Sequence, residues 1–156
     1  MFHCNGWGFP WGMAAQGGTS ICLRNVKAKE IFDTIDEHKV THLGAAPTVL
    51  SIVANALPHE RKPLPNIVYV MTCGSPPPSR LLSRMEELIF HITHIYGLTE
   101  TYGPITSSVW KPEWGKLPLE DQGARVFAFY QITINTLKRC DLNGTSWLQP
   151  LSKNNS

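Results

Sequence analysis

Thr99 and Glu100 stand side by side in the string Tyr96-Gly-Leu-Thr-Glu-Thr-Tyr-Gly103, where they offer a hydroxyl next to a carboxylate. That pairing suits a phosphate held through magnesium. A hydroxyl bonds a phosphoryl oxygen directly, whereas a carboxylate repels it unless a hard cation lies between them. Tyr96 or Tyr102 could cover the face of a base. A second string, Thr72-Cys-Gly-Ser-Pro76, carries Gly74, whose missing side chain lets backbone approach a ligand closely. Ser75 is expected to cap a helix beginning at Pro76, where free amide donors suit a negatively charged or electron-rich group. On the residues alone, plainer readings stay open: a tight turn at Gly74, a core aromatic at Tyr96 and a solvated carboxylate at Glu100.

These loops need a scaffold, and hydrophobic periodicity supplies one. Residues 19–23 (TSICL) form a short strand candidate after Gly17-Gly18. Across 27–39, Ala28, Ile31, Phe32 and Ile35 make one helical stripe, with charged residues off it. Residues 40–45 read as a strand, and Pro47 opens a short helix burying Val49, Leu50, Ile52 and Val53. Residues 67–72 are apolar on both alternating faces, as in a strand covered on two sides. An amphipathic helix follows, with Pro78, Leu81, Leu82, Met85, Leu88 and Ile89 on one side. Residues 91–96 give another strand, ended by Gly97. Three strand-helix-strand units predict an α/β fold: a partial, mostly parallel sheet with flanking helices, whose ligands collect where the strands end. A closed barrel needs roughly 250 residues, so an open sheet is expected.

Composition narrows the classes. With 42% hydrophobic and 17% charged residues among 156, the chain reads as globular, one domain rather than two. A formal charge of +2, with no basic cluster, gives no reason to expect a nucleic-acid partner. No apolar run reaches the ~20 residues of a membrane span. Cys4, Cys22, Cys73 and Cys140 are scattered, which suggests a reducing compartment. His91-x-x-His94 has a metal-like spacing, but within a strand the two rings face opposite sides. Ser75 lacks the G-x-S-x-G setting of a hydrolase nucleophile. The five tryptophans, with Met13, Met71 and Met85, read as packing residues.

Taken in order, the strings resemble the adenylate-forming acyl-activating enzymes, particularly plant AMP-binding acyl-CoA synthetases. Tyr96-Gly-Leu-Thr-Glu100 is similar to that family's YGxTE motif. Met71-Thr-Cys-Gly-Ser-Pro-Pro77 looks like the loop bordering the adenine pocket, and Met1-Phe-His-Cys-Asn-Gly-Trp7 like the segment with a histidine near the acyl tunnel. Ala45-Ala-Pro-Thr48 and Lys111-Pro-Glu-Trp114 also fit their usual places.

The resemblance implies a fragment of an ATP-dependent carboxylic acid–coenzyme A ligase, with ATP/AMP, magnesium and coenzyme A as its cofactors and co-substrate. It implies that Tyr96 and Gly97 lie beside the adenine, Thr99 on the phosphate and Glu100 on magnesium. Gly74, Ser75 and Pro76 would form the adenine-side wall, and His3 and Trp7 would lie near the acyl path. The resemblance spans about residues 1–123, giving a partial adenylation domain, with 124–156 a divergent, poorly ordered tail. The family's phosphate loop upstream and its lysine-bearing small domain downstream have no counterpart, so a truncated, inactive chain is expected. Exposed strand edges would then favour self-association or pairing with a full-length relative. The location implied is cytoplasmic, or peroxisomal for the complete relative.

Overall fold

A computed structural model describes residues 3–118 and residue 121. The expected tail at 124–156 lies outside the described residues, and so do Cys140 and Trp147.

The chain opens with two short helices, α1 (Cys4–Trp7) and α2 (Phe9–Ala15). The stripe at Ala28, Ile31, Phe32 and Ile35 becomes the buried side of α3 (Ala28–His38). Lys39 ends that helix in the left-handed conformation, with φ of 52°. On the outer side, Lys62 reaches both Asp33 and Asp36 at 2.9 and 3.4 Å, tying the helix to a later loop. Then follow β1 (His42–Gly44), α4 (Pro47–Ala54), β2 (Val68–Thr72), α5 (Ser79–Glu87), β3 (Phe90–Leu98) and β4 (Gly103–Ser108).

The four strands form one sheet in chain order. The β1–β2 and β2–β3 pairs are parallel and β3–β4 is antiparallel, so the sheet is mixed with a parallel majority. Parallel strands laid side by side in chain order, joined by crossovers of one hand, must carry their helices on the same face. They do: α4 packs on α5, and α3 on α4. Beneath them Val68, Val70, Phe90 and Ile92 join Leu50, Val53, Leu82, Met85 and Phe32 in one apolar core. Phe32 meets Phe90 edge-on, with ring centroids 6.1 Å apart.

Several expectations need correcting. Residues 19–23 form no strand; Ile21 and Leu23 are exposed. A short run gains little from extended backbone unless it finds a ladder partner, and among the described residues β1 pairs with β2 alone. Two complete strand-helix-strand units therefore remain of the three expected. In α4 the buried residues are Pro47, Leu50, Val53 and Ala54. Ile52, two positions from Leu50, points to the other side of the helix and is 40% exposed. In β2 burial alternates, so Tyr69 and Met71 stand on an open face rather than beneath a second layer. Met71 is thus no core filler, and Trp11 is 72% exposed, whereas Trp110 and Trp114 pack against the core.

The open face is organised by aromatic rings. His42 and Tyr69, paired in register, stack at 5.5 Å, and Tyr69 meets the next register partner, His91, edge-on at 5.7 Å. Trp110 and then Trp114 extend the row at 5.2 and 5.8 Å.

The core assignment predicts a sharp contrast. Phe90→Ala, at a fully buried position, should cost about 3–5 kcal/mol in urea unfolding. Ile52→Ala should cost under roughly 1 kcal/mol, because its side chain remains largely solvated. Equal losses would contradict the placement of the helices.

Candidate functional site

Parallel pairing sets the geometry of the site. Thr72, the last residue of β2, lies opposite His94 of β3, so both strands run to the same rim of the sheet. The 73–76 loop leaves there, and β3 runs on for four further residues before turning back.

The first loop departs from expectation at Ser75. It caps no helix, because α5 begins only at Ser79 with Pro78 at its N-cap. The reason is steric. Ser75, Pro76 and Pro77 each precede a proline, and that disfavours helical backbone at all three positions. Gly74 adopts φ of +101°, which a side chain would strain, and nothing crowds the place a Cβ would take. Gly74, Ser75 and Pro76 are exposed, while Pro77 is buried. The helix amides expected at Ser75 are therefore displaced along the chain, and the loop presents main chain instead.

Its anchor is a residue that the motif reading passed over. His94 is 2% exposed and hydrogen-bonds the Ser75 main chain. Burial drives its pKa down from 6.5 to about 4, outweighing the Ser75 contact that favours the charged form. The ring is thus neutral near pH 7. The signal in the sequence was its strand position, three residues after His91, which placed the two rings on opposite faces.

The second loop holds the Thr99–Glu100 pair. Gly97 does not end β3; the strand continues through Leu98, with a register shift between Tyr96 and Gly97. A Cβ at Gly97 would lie 2.0 Å from the Gly103 carbonyl oxygen, so the bare backbone permits the two arms to cross this closely. The turn at Thr99–Thr101 ends in left-handed Tyr102, with φ of 54°. Thr101 pins it: the hydroxyl oxygen accepts the Leu98 amide at 2.9 Å and lies 2.9 and 2.8 Å from the Leu98 and Gly103 carbonyls. Thr99 and Glu100 are exposed at the tip, and Tyr96 is half-buried below. Thr101 is the second positioning residue missed, its role hidden because a hydroxyl bridging a turn leaves no periodic trace.

The N-terminal segment reaches this rim as well. Asn5 donates to the Gly44 carbonyl at 3.1 Å, and a Cβ at Gly44 would meet Asn5 Oδ1 at 2.8 Å and Phe9 at 3.2 Å. His3 is exposed at the start of α1, with φ of 50°, and Trp7 ends that helix. At the opposite rim, a cleft of about 350 Å³ is lined by Ile67, Tyr69, Glu86, Ile89 and His91. There Glu86 accepts the Ile92 amide at 3.0 Å and lies 3.4 Å from His91. That contact, against some burial, raises the His91 pKa above 6.5.

An open, largely parallel sheet with two irregular loops at its carboxyl rim is the arrangement in which α/β folds collect their ligands. The comparisons give the family: the chain belongs to the AMP-binding enzymes, whose family model matches residues 1–134. It is 45% identical to the peroxisomal trans-cinnamate:CoA ligase of Petunia hybrida over 99% of this chain and 27% of that protein. It is 48% identical to a peroxisomal acetate/butyrate–CoA ligase of Arabidopsis thaliana, over 97% of this chain and 26% of that one. Among solved structures it resembles the N-terminal domain of FACL13 from Mycobacterium tuberculosis, with a TM-score of 0.57 and 26% identity over 62% of this chain and 25% of that one. O-succinylbenzoate coenzyme A synthetase of Bacillus subtilis, in complex with AMP, shares the fold at a TM-score of 0.56 and 23% identity, over 73% of this chain and 28% of that one. The chain spans about a quarter of the length of the curated relatives it matches.

Two consequences can be measured. In the unfolded chain His94 takes up a proton near 6.5, but in the fold it does so only near 4. Between those values the unfolded state binds more protons, so stability falls as the solution is acidified, by on the order of 3 kcal/mol in full. His91 acts the other way: its contribution is complete below 6.5 and is lost as pH rises through its raised value. Urea midpoints should drop from pH 6.5 to 4 in the native chain and drop less in His94→Gln. The second consequence concerns Gly97→Ala, which should cost about 1–3 kcal/mol by forcing the β3–β4 arms apart. An unchanged unfolding midpoint would refute that close crossing.

Proposed function

We propose that this chain supplies the adenine- and phosphate-side loops of an ATP-dependent carboxylic acid–coenzyme A ligase that works through an acyl-adenylate. The observation that carries the reading is the common rim: the Gly74–Ser75 loop and the Thr99–Glu100 turn leave neighbouring parallel strands at the same end. The curated relatives are CoA ligases by name, which supports the same activity for the complete enzyme. That enzyme joins a small carboxylic acid to ATP, releases pyrophosphate, and passes the acyl group from AMP to the thiol of coenzyme A.

In this reading Gly74, Ser75 and Pro76 form a wall beside the adenine, with Tyr96 packed against it and Gly97 keeping the backbone close. Thr99 donates its hydroxyl to a phosphoryl oxygen, and Glu100 takes magnesium. The donor set fits that ion: Glu100 offers one exposed carboxylate beside the Thr99 hydroxyl, and magnesium is commonly held by one or two carboxylates plus the substrate's own phosphates. When bound, magnesium neutralises the triphosphate and stabilises charge developing on pyrophosphate. The protein's own part is positional, since Thr101 fixes the turn and His94 fixes the facing loop. His3 and Trp7, on the segment that Asn5 fastens to the rim, border the acyl path.

At about a quarter of its relatives' length, the 156-residue chain binds without turning over. The complete relative works in the peroxisome, in keeping with the names of two relatives, or in the cytoplasm. A second role, non-catalytic pairing with a full-length relative or with another copy, is favoured by the open face at Tyr69 and Met71. Co-purification with a tagged full-length synthetase measures it.

Titration with ATP in the presence of magnesium should give saturable binding, weakened roughly tenfold or more by Glu100→Gln, a change above 1.4 kcal/mol. Removing magnesium should bring the native chain down to the variant. Equal affinities would remove Glu100 from its role, and ATP-dependent thioester formation by the purified chain would contradict the account of its inactivity.

A further inference from the structure

Gly44, at the end of β1, meets two residues from the start of the chain. Asn5 donates a side-chain N–H to the Gly44 carbonyl at 3.1 Å. A Cβ at Gly44 would lie 2.8 Å from Asn5 Oδ1 and 3.2 Å from the Phe9 ring. One side chain of α1 and one of α2 thus fill the place where Gly44 has none. Alternation along β1 fixes the side of the sheet. His42, two residues earlier, stacks on Tyr69 of the open face, so Gly44 turns that same side toward α1 and α2. The helix pair therefore covers the carboxyl end of β1 on that face, beside Met71, the register partner of Gly44.

The rest of the segment is lightly packed. Among the described residues, the main-chain hydrogen bonds of 3–18 stay within that segment. No residue of α2 is buried, and residues 14–27, which lead on to α3, are exposed throughout. We propose that the Asn5–Gly44 contact is a latch that seats α1 and α2 on the rim and thereby gives the site its grip on the acyl group of an acyl-adenylate. The latch stands on the geometry above; its effect on ligand rests on the reading of His3 and Trp7 as bordering the acyl path.

Both residue types suit the task. The Gly44 carbonyl can only accept, and the Asn5 carboxamide supplies an N–H; an aspartate of the same shape would offer oxygens alone and repel it. Glycine at 44 leaves room that any side chain would take from Asn5 and Phe9. The crowded atoms belong to side chains of the helix pair, so a methyl at 44 displaces α1 and α2 and leaves the β1–β2 register in place. Asn5 acts through α1 and touches no ligand, which makes it a positioning residue.

The nucleotide loops are held by other means. Thr101 pins the 99–101 turn to Leu98 and Gly103, and the 73–76 loop follows β2, which pairs on both sides. Loosening α1 and α2 should therefore cost acyl affinity and spare adenosine affinity.

The test uses the full chain and its Asn5→Asp and Gly44→Ala variants, first in hydrogen exchange read by mass spectrometry. Amides of residues 4–18 should exchange roughly fivefold faster in both variants, the ratio expected from losing one net hydrogen bond, with residues 68–72 unchanged. Unchanged exchange across 4–18 overturns the latch. Each form is then titrated with 5′-O-sulfamoyladenosine and with its N-butanoyl derivative, a stable mimic of an acyl-adenylate. The native chain should bind the acylated compound roughly tenfold tighter. Both variants should lose most of that preference and bind the unacylated compound as the native chain does. A preference kept in the variants, absent from the native chain, or lost together with adenosine affinity overturns the positioning role. A native chain that binds neither compound overturns the reading of the rim and the acyl role with it, while exchange alone decides the latch.

Discussion

Everything in this site depends on the parallel register of β2 against β3, with Thr72 beside His94. Antiparallel pairing would send the two loops to opposite ends of the sheet. Parallel pairing obliges a crossover, here α5, and the crossover obliges an apolar core on the face it covers. The site therefore inherits its geometry from the packing of Val68, Val70, Phe90 and Ile92 beneath α4 and α5. A buried neutral histidine then converts the end of one strand into a support for the loop leaving the other.

The sheet is asymmetric, and its histidines record the asymmetry. His94 faces the helices, is buried, and is driven toward the neutral form. His91 faces the open side, joins the row of rings from His42 to Trp114, and is favoured in its charged form by Glu86. One strand thus carries two imidazoles with opposed proton affinities, set by which side of the sheet each faces. The same asymmetry leaves Tyr69 and Met71 in solvent, where a parallel sheet ordinarily has a second layer.

What sequence made legible was whatever repeats. The α3 stripe, the α5 amphipathicity and the apolar strands all report burial with a fixed period, and each lies close to where the pattern put it. What it hid depends on partners or on single bonds. Residues 19–23 have strand composition but no ladder, and Ile52 is apolar yet lies off the buried side of its helix. Ser75 has the right chemistry for a cap, but three consecutive prolines postpone the helix. Gly97 looked like a terminator, whereas its role is to let Gly103 cross without a side chain in the way. Of the candidate residues, the motif found those exposed at the rim, and it missed His94 and Thr101, which hold the rim in shape.

The central claim is that one nucleotide can touch both loops. Photo-crosslinking with an azido-adenine analogue of ATP, followed by peptide mapping, tests this directly. The account predicts that irradiation with magnesium labels peptides from both the 72–77 loop and the 96–102 turn, and that excess ATP suppresses both labels together. Label confined to the open face around Tyr69 and His91, or indifferent to magnesium and to competing ATP, would contradict it.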